Sequence, residues 1–421
     1  MRRFRRVAVV VAVLLLAICF VVWTWTRFVG GAGAGWPIAV AVLTLGYIPV
    51  AILGFRLRNP LLRAAAIPTA VSMGLFSFCL VASVLCWTAD GVLRALGIAA
   101  GNSLVGPGMF GLGLAAAAYG VLNAARIRVT RYTVSLPNLP GELRGRIGVL
   151  VSDVHLGNIR GAGFSRRVAA RVRALSPDFL FICGDMFDGA QVDLGACAAP
   201  WGAIGAPLGS FFVTGNHDEF TDSAKIMEAL RRVGIRVLDN ERVTVRGLQI
   251  VGVHDGVARD EREFRGILAR SGLDRDRPSI LLSHQPSHLS IPSEFGVSLQ
   301  LSGHTHNGQF WPWSILVSRV FGPFAYGLNR FGALQVITSC GVGTWGPPMR
   351  VATRSEIVAF ELTVNACIEG TSCGVRSNWE TTFDNTVSEE KPRTLRSTRR
   401  SPRVCGGSLK ISAHSYDAAN P

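Results

Sequence analysis

The chain has 421 residues, 49% of them hydrophobic, with 43 Lys and Arg against 28 Asp and Glu, a formal charge of +15. That length and apolar content exclude a wholly disordered polypeptide and leave room for a folded domain plus a membrane region. No nucleic-acid partner is expected, because the arginines flank apolar stretches or lie in the tail and no RNP-type, zinc-finger or helix-turn-helix pattern accompanies them.

Four apolar stretches fill the first 125 residues: Val7 to Thr26, Trp36 to Phe55, Ala64 to Trp87 and Asn102 to Ala125. Each is near or above the ~20 residues a helix needs to cross a bilayer. The first, preceded by Met1-Arg2-Arg3-Phe4-Arg5-Arg6, has the look of a signal peptide, but with three more spans behind it and no clear cleavage site it is read as a retained helix. Residues 1–126 are therefore expected to form a membrane region of four transmembrane helices. Arg2, Arg3, Arg5, Arg6, then Arg56, Arg58, Arg63, then Arg126, Arg128 and Arg131 fall on one side of this arrangement, with only Arg27 and Arg94 opposite. By the positive-inside rule both termini are cytoplasmic, which makes the protein a multi-pass protein of the cell membrane with everything after the fourth span in the cytoplasm. The middles of the spans hold no Asp, Glu, Lys or His, so they read as an anchor and not as an ion pathway.

From residue 127 to 364 the pattern changes to short apolar runs alternating with amphipathic segments. Ile147 to Val151, Phe179 to Cys183, Ser210 to Thr214, Ser279 to Leu282 and Val297 to Leu301 read as strands covered on both faces. Phe164 to Leu175 and Ser223 to Val233 have helical spacing. Arg236 to Asp239, Glu241 to Arg246, Leu248 to Val253, Leu334 to Ser339 and Glu356 to Thr363 are later strand candidates, expected to build a second sheet. The predicted fold is α/β: a four-layer α-β-β-α sandwich, two sheets face to face with helices outside, preceded by the four-helix transmembrane region.

Ligands collect where strands of such sheets deliver their carboxyl ends. All five buried runs end in potential metal ligands: Asp153 and His155, then Asp185, then Asn216 and His217, then His284, then His304 and His306. Mixed imidazole, carboxylate and amide oxygen suits Mn²⁺, Zn²⁺ or Fe²⁺, whereas scattered cysteines, nine in all, argue against an iron–sulfur cluster, a structural zinc site or a disulfide framework. Cys183, which closes one run, reads as a small core residue. The ligating side chains are too many for one ion. Two divalent ions about 3.5–4 Å apart, sharing one carboxylate, would use them.

Asp153-Val154-His155, Gly184-Asp185-Met186-Phe187-Asp188, Gly215-Asn216-His217-Asp218, His284 and Gly303-His304-Thr305-His306 resemble, in order, the five motifs of the calcineurin-like metallophosphoesterases. The resemblance covers roughly Arg144 to Leu362, and the stretches Gly303 to Phe310 and Thr344 to Arg350 are similar to the membrane-attached bacterial branch. It implies that Asp153, His155 and His306 bind one ion, that Asn216, His284 and His304 bind the other, and that Asp185 bridges. His217 would stand beside the substrate phosphate as proton donor or charge stabiliser. Asp218 is a candidate for orienting His217, and Asp188 for supporting the ligands from behind, with capping or turn roles open for both.

Three features remain. Val253-His254-Asp255 follows a strand and either approaches the site or lines it. Arg350 is a candidate phosphate contact or an ordinary surface residue. Residues 365–421, with a basic, proline-containing run from Lys391 to Arg403, are expected to form a disordered tail. The function expected is a membrane-anchored phosphoesterase cleaving phosphoester or pyrophosphate bonds with a metal-bridged hydroxide. Tethering makes a lipid-linked phosphoester a reasonable substrate, and soluble esters stay open. The alternative is a membrane sensor or scaffold whose metal domain serves binding and not turnover.

Overall fold

The computed structural model describes residues 2–30, 35–98, 104–220 and 222–364; the basic tail lies outside the described residues. Four helices come first: α1 (Arg2–Phe28), α2 (Gly35–Gly54), α3 (Pro60–Ala95) and α4 (Val105–Ala125). All four are long and apolar enough to cross a membrane. Asn59 starts α3 by accepting a hydrogen bond from the Leu61 amide, with Pro60 at the first helical position where its missing N–H costs nothing. At 36 residues α3 is about 54 Å long and overruns the expected span at both ends. Asp90, beyond that span, is neutralised by Arg94 one turn on at 2.9 Å. Val21, Val40, Phe76, Cys79 and Phe110 pack the helices together.

The remaining described chain makes twelve strands in two six-stranded sheets. The first runs β1 (Ile127–Leu136), β12 (Ser355–Val364), β2 (Ile147–Val151), β3 (Phe179–Cys183), β4 (Ser210–Val213) and β5 (Arg236–Val237). The second runs β10 (Gly327–Phe331), β11 (Leu334–Thr338), β9 (Leu299–Ser302), β8 (Ser279–Ser283), β7 (Leu248–Val253) and β6 (Glu241–Val245). Strands β2 to β5 are mutually parallel, as are β7, β8, β9 and β11. Parallel neighbours need crossovers, and these are the helices: α5 (Ala162–Arg173) after β2, α6 (Leu194–Ala198) after β3, α7 (Ser223–Arg232) after β4, α8 (Asp255–Ala258) and α9 (Glu261–Arg270) after β7, and α10 (Ser290–Glu294) after β8. A last helix, α11 (Trp313–Phe321), follows β9.

Each layer is closed by its own apolar cluster. Leu150, Phe181, Val213, Leu282, Leu301 and Phe360 fill the space between the sheets. Val168, Val172 and Leu230 of α5 and α7 cover the outer face of the first sheet, and Phe264 and Leu268 of α9 cover that of the second. The architecture is the expected α-β-β-α sandwich. Sheet membership differs from expectation. The strands at Arg236 and Ser355 belong to the first sheet, while β8 and β9 belong to the second. The cause is the β6–β7 hairpin, which carries the chain from one sheet to the other after β5, so both sheets deliver carboxyl ends to one place. Cys183 is a buried core residue, its Sγ 2.9 Å from the Leu301 carbonyl.

Backbone and side-chain hydrogen bonds fasten the sandwich to the helices at the end of α4 and at the α2–α3 turn. Asn123 near the end of α4 donates to the carbonyls of Arg350 and Thr353, each at 2.9 Å, and the Arg350 amide donates to Gly120 at 2.9 Å. At the α2–α3 turn, the Gln191 amide donates to Gly54 at 3.0 Å.

Candidate metal centre

The residues after the parallel strands are placed by unusual backbone. Asp153, His155, Asp185, His304 and His306 all have positive φ, between 49 and 68°. Non-glycine residues seldom adopt that region, and clusters of such strain sit at functional sites. Glycines let the side chains close in. A Cβ on Gly303 would stand 2.4 Å from Asp153 Oδ2, and one on Gly184 2.5 Å from the His284 ring.

The geometry resolves into linked groups. His306 Nε2 lies 3.4 Å and His155 Nε2 3.9 Å from Asp153 Oδ1, and the two imidazole nitrogens are 3.0 Å apart. In a second group His284 Nε2 is 3.2 Å from Asp185 Oδ2. His304 joins it, its Nδ1 paired with Asn216 Oδ1 at 2.9 Å. Asp185 also faces His155 Nε2 at 3.8 Å, so its carboxylate belongs to both sides. All seven side chains expected to bind metal therefore converge.

Their supports are as specific. His284 Nδ1 is 2.9 Å from the Cys183 carbonyl, which leaves Nε2 to point inward. The His304 amide donates to both Asp153 oxygens at 3.1 Å, and the His217 amide donates to Asp185 Oδ1 at 2.8 Å. Behind Asp153 runs the glycine-containing loop Cys340-Gly341-Val342-Gly343, whose Gly343 amide donates to the Asp153 carbonyl at 2.8 Å. Sequence reasoning passed over this loop; two glycines two apart, directly after a buried strand, were the available signal.

Electrostatics test whether cations fit. Burial, with the charge of Asp185 added, pushes the Asp153 carboxyl up, and burial works against the charged forms of Asp185, Asp188, His155 and His284 as well. Neighbouring carboxylates nonetheless hold His284 well above, and His155 above, the ordinary imidazole value, while burial and then the charge of neighbouring imidazoles push His304 down to about 3 and His306 well below its ordinary value. His284 Nε2 is buried without hydrogen-bond geometry to any partner, although Asp185 is close. A divalent cation between these atoms would supply both the missing partner and the missing charge.

His217 is buried beside the cluster, its Nδ1 3.3 Å from Asp188 Oδ1. Asp188 is also 3.2 Å from His155 Nδ1, so it supports a ligand and the candidate catalytic histidine together. Asp218 does not orient His217. Its carboxylate accepts from the amides of Phe187 and Gly215 at 2.9 Å and pins two turns, and burial with nearby Asp185 lifts it to about 7. Arg350 is neither a surface residue nor a phosphate contact. Its guanidinium is fully buried and donates to the carbonyls of Cys340, Gly341, Gly343 and His306, because the loop that backs Asp153 turns its oxygens inward. His254 sits apart from the ligand groups, with Nε2 2.7 Å from Asp239.

Fold and site together define a two-sheet α/β protein with a buried set of candidate metal ligands at the ends of its strands. A model of the calcineurin-like phosphoesterase family matches residues 149–308, the stretch that holds all of them. A metallophosphoesterase of Aquifex aeolicus is 32% identical over 246 residues, 57% of this chain and 94% of that protein. A "transmembrane protein with metallophosphoesterase domain" of Danio rerio is 37% identical over 262 residues, 58% of this chain and 60% of that one. A metallophosphoesterase of Helicobacter pylori is 31% identical over 242 residues, covering 56% and 64%. The chain belongs to the calcineurin-like phosphoesterase family. It spans about three fifths of the length of the Danio and Helicobacter relatives.

Proposed function

We propose that the protein is a membrane-anchored phosphoesterase with two divalent ions, Mn²⁺, Zn²⁺ or Fe²⁺, and that residues 1–126, 127–364 and 365–421 are its anchor, catalytic domain and tail. Asp153, His155 and His306 hold one ion, Asn216, His284 and His304 the other, and Asp185 both. The observation that carries this reading is the position of the Asp185 carboxylate, grouped with His284 and His304 on one side and facing His155 at 3.8 Å on the other. When bound, such ions neutralise phosphoryl charge and lower the pKa of a water. The chain's own residues then do the rest. His217 meets the phosphoester and delivers a proton to the departing oxygen, while Asp188 stabilises the charged imidazole that a proton donor requires. Water oxygen joins phosphorus as one water proton passes to solvent, the bond from phosphorus to the leaving oxygen breaks, an alcohol departs with the proton from His217, and His217 regains a proton from solvent.

The anchor is supported by four apolar helices and by the name of the Danio relative. A cytoplasmic position for the catalytic domain rests on the arginines: Arg58 of the α2–α3 turn reaches Asp193 of the sandwich at 3.6 Å, and Arg128 follows α4 directly, so both basic junctions lie on the domain's side. A substrate linked to lipid follows from tethering. The test is hydrolysis of an aryl phosphodiester by the full chain titrated with each metal. Metal-dependent turnover that Asp185→Asn reduces by at least about 100-fold supports the reading, since bridging-ligand loss removes most of the metal's electrostatic contribution. Turnover without metal, or undiminished in the variant, overturns it.

A further inference from the structure

Above the candidate ligands is a cavity of about 590 Å³ with two kinds of lining. Asp185, Asn216, His304 and His306 form a polar floor. Phe310, Trp313, Leu316 and Val317 form an apolar wall, and Met73 and Ser77 of α3 close one side.

Apart from the buried Phe310, the wall belongs to α11, in which no residue is buried. Trp311, Trp313, Ile315, Leu316 and Val320 are between 45 and 68% exposed. Among the described residues after α4, only three other large apolar side chains are exposed. Phe220 and Trp345 stand on the rim of this same cavity, and Phe331 lies beside Phe324. The exposed apolar surface of the sandwich is thus gathered at one mouth, and a patch of that kind marks an interaction surface. Position says which. Met73 lies about 20 Å along α3 from its start, on a helix long and apolar enough to span a bilayer, and Phe310 packs 5.7 Å from Phe78 of that helix. A mouth so far along a membrane helix opens toward lipid. Tryptophans at such a boundary place their rings in the interface.

Resting on the phosphoesterase reading, we propose that α11 and its flanking tryptophans lie in the bilayer interface and that the cavity takes a membrane amphiphile. Its phosphoester sits on the polar floor and its alkyl chain runs along Phe310, Leu316 and Val317.

The experiment uses the full chain in phosphatidylcholine and phosphatidylglycerol vesicles with Mn²⁺, offered p-nitrophenyl phosphodiesters whose second ester is methyl or dodecyl. The dodecyl ester should exceed the methyl ester in kcat/KM by at least about 30-fold, a small part of what a buried alkyl chain supplies, and Leu316→Asp should cut that ratio to about threefold or less. In parallel, vesicles carrying a lipid with a diazirine in its acyl chain are irradiated and the wild-type adducts mapped by mass spectrometry; residues 311–320 should carry adducts as well as the four helices. Equal turnover of both esters with adducts confined to α1–α4 overturns the proposal. Wild-type adducts absent from 311–320 overturn the interfacial seating whichever ester is preferred. Absence of turnover on every ester with every metal defeats the phosphoesterase reading instead, and the adduct map still decides the seating of α11.

Discussion

Asp188 touches His155 and His217 from one carboxylate oxygen, so a residue that binds no proposed ion is tied to both metal binding and proton transfer. Burial opposes its charge, but the two imidazoles hold its carboxyl below the ordinary value. Asp188→Asn keeps the size and removes the charge; kcat should fall by about 10–100-fold with metal content retained, as for other residues that orient ligands, measured by steady-state kinetics and metal analysis. Wild-type turnover would reduce Asp188 to a turn residue. The proposed ligands were legible in the sequence because each follows a continuous apolar run, where strand ends and ligands coincide. Arg350 was not. Its partners are carbonyl oxygens of a distant loop, and nothing in the local pattern of Arg350 distinguishes a guanidinium that braces backbone from one that meets solvent. Asp218 and Asp188 were separable only by geometry, since both follow a glycine-led motif.

At the scale of elements, the five buried runs emerged as strands within one or two residues of their expected limits, but their sheet was not legible. A strand buried on both faces has no polar side to show which neighbour it faces, so Ser279–Ser283 and Leu299–Ser302 read like the strands of the first sheet. What fixes the assignment is tertiary: the inter-sheet layer that Leu282 and Leu301 enter from the second sheet, against the first sheet's Phe181, which stacks 5.8 Å from Phe211 and 6.0 Å from Phe360. Phe181→Ala should destabilise the sandwich by about 3–5 kcal/mol, read from the denaturant midpoint of the detergent-solubilised protein. A change below about 1 kcal/mol would show that this layer collapses around the gap. Helix α11 escaped notice for another reason. It is only nine residues long, and Ser314, Ser318 and Arg319 interrupt the apolar ones, so the exposed Trp313, Ile315, Leu316 and Val320 become intelligible only beside α3.

For the whole molecule, the four apolar helices are joined to the sandwich where α4 leads straight into β1 and Asn123 ties the end of that helix to the segment that holds Arg350. The chain that leaves α4 therefore reaches, through Arg350, the carbonyl of His306 and the loop behind Asp153. Two buried carboxylates, Asp153 and Asp185, and the partly exposed Asp188 meet at that end of the fold, and compensating cations would stabilise the folded state at the same time as they prepare it for phosphate. Electron paramagnetic resonance of the Mn²⁺-loaded protein, with the bound metal counted, examines this directly. Two ions per chain with a spin-coupled spectrum, reduced to one uncoupled ion or none by Asp185→Asn, is the predicted result. One uncoupled ion in the wild type, or coupling that survives Asp185→Asn, would contradict a carboxylate shared between two metals.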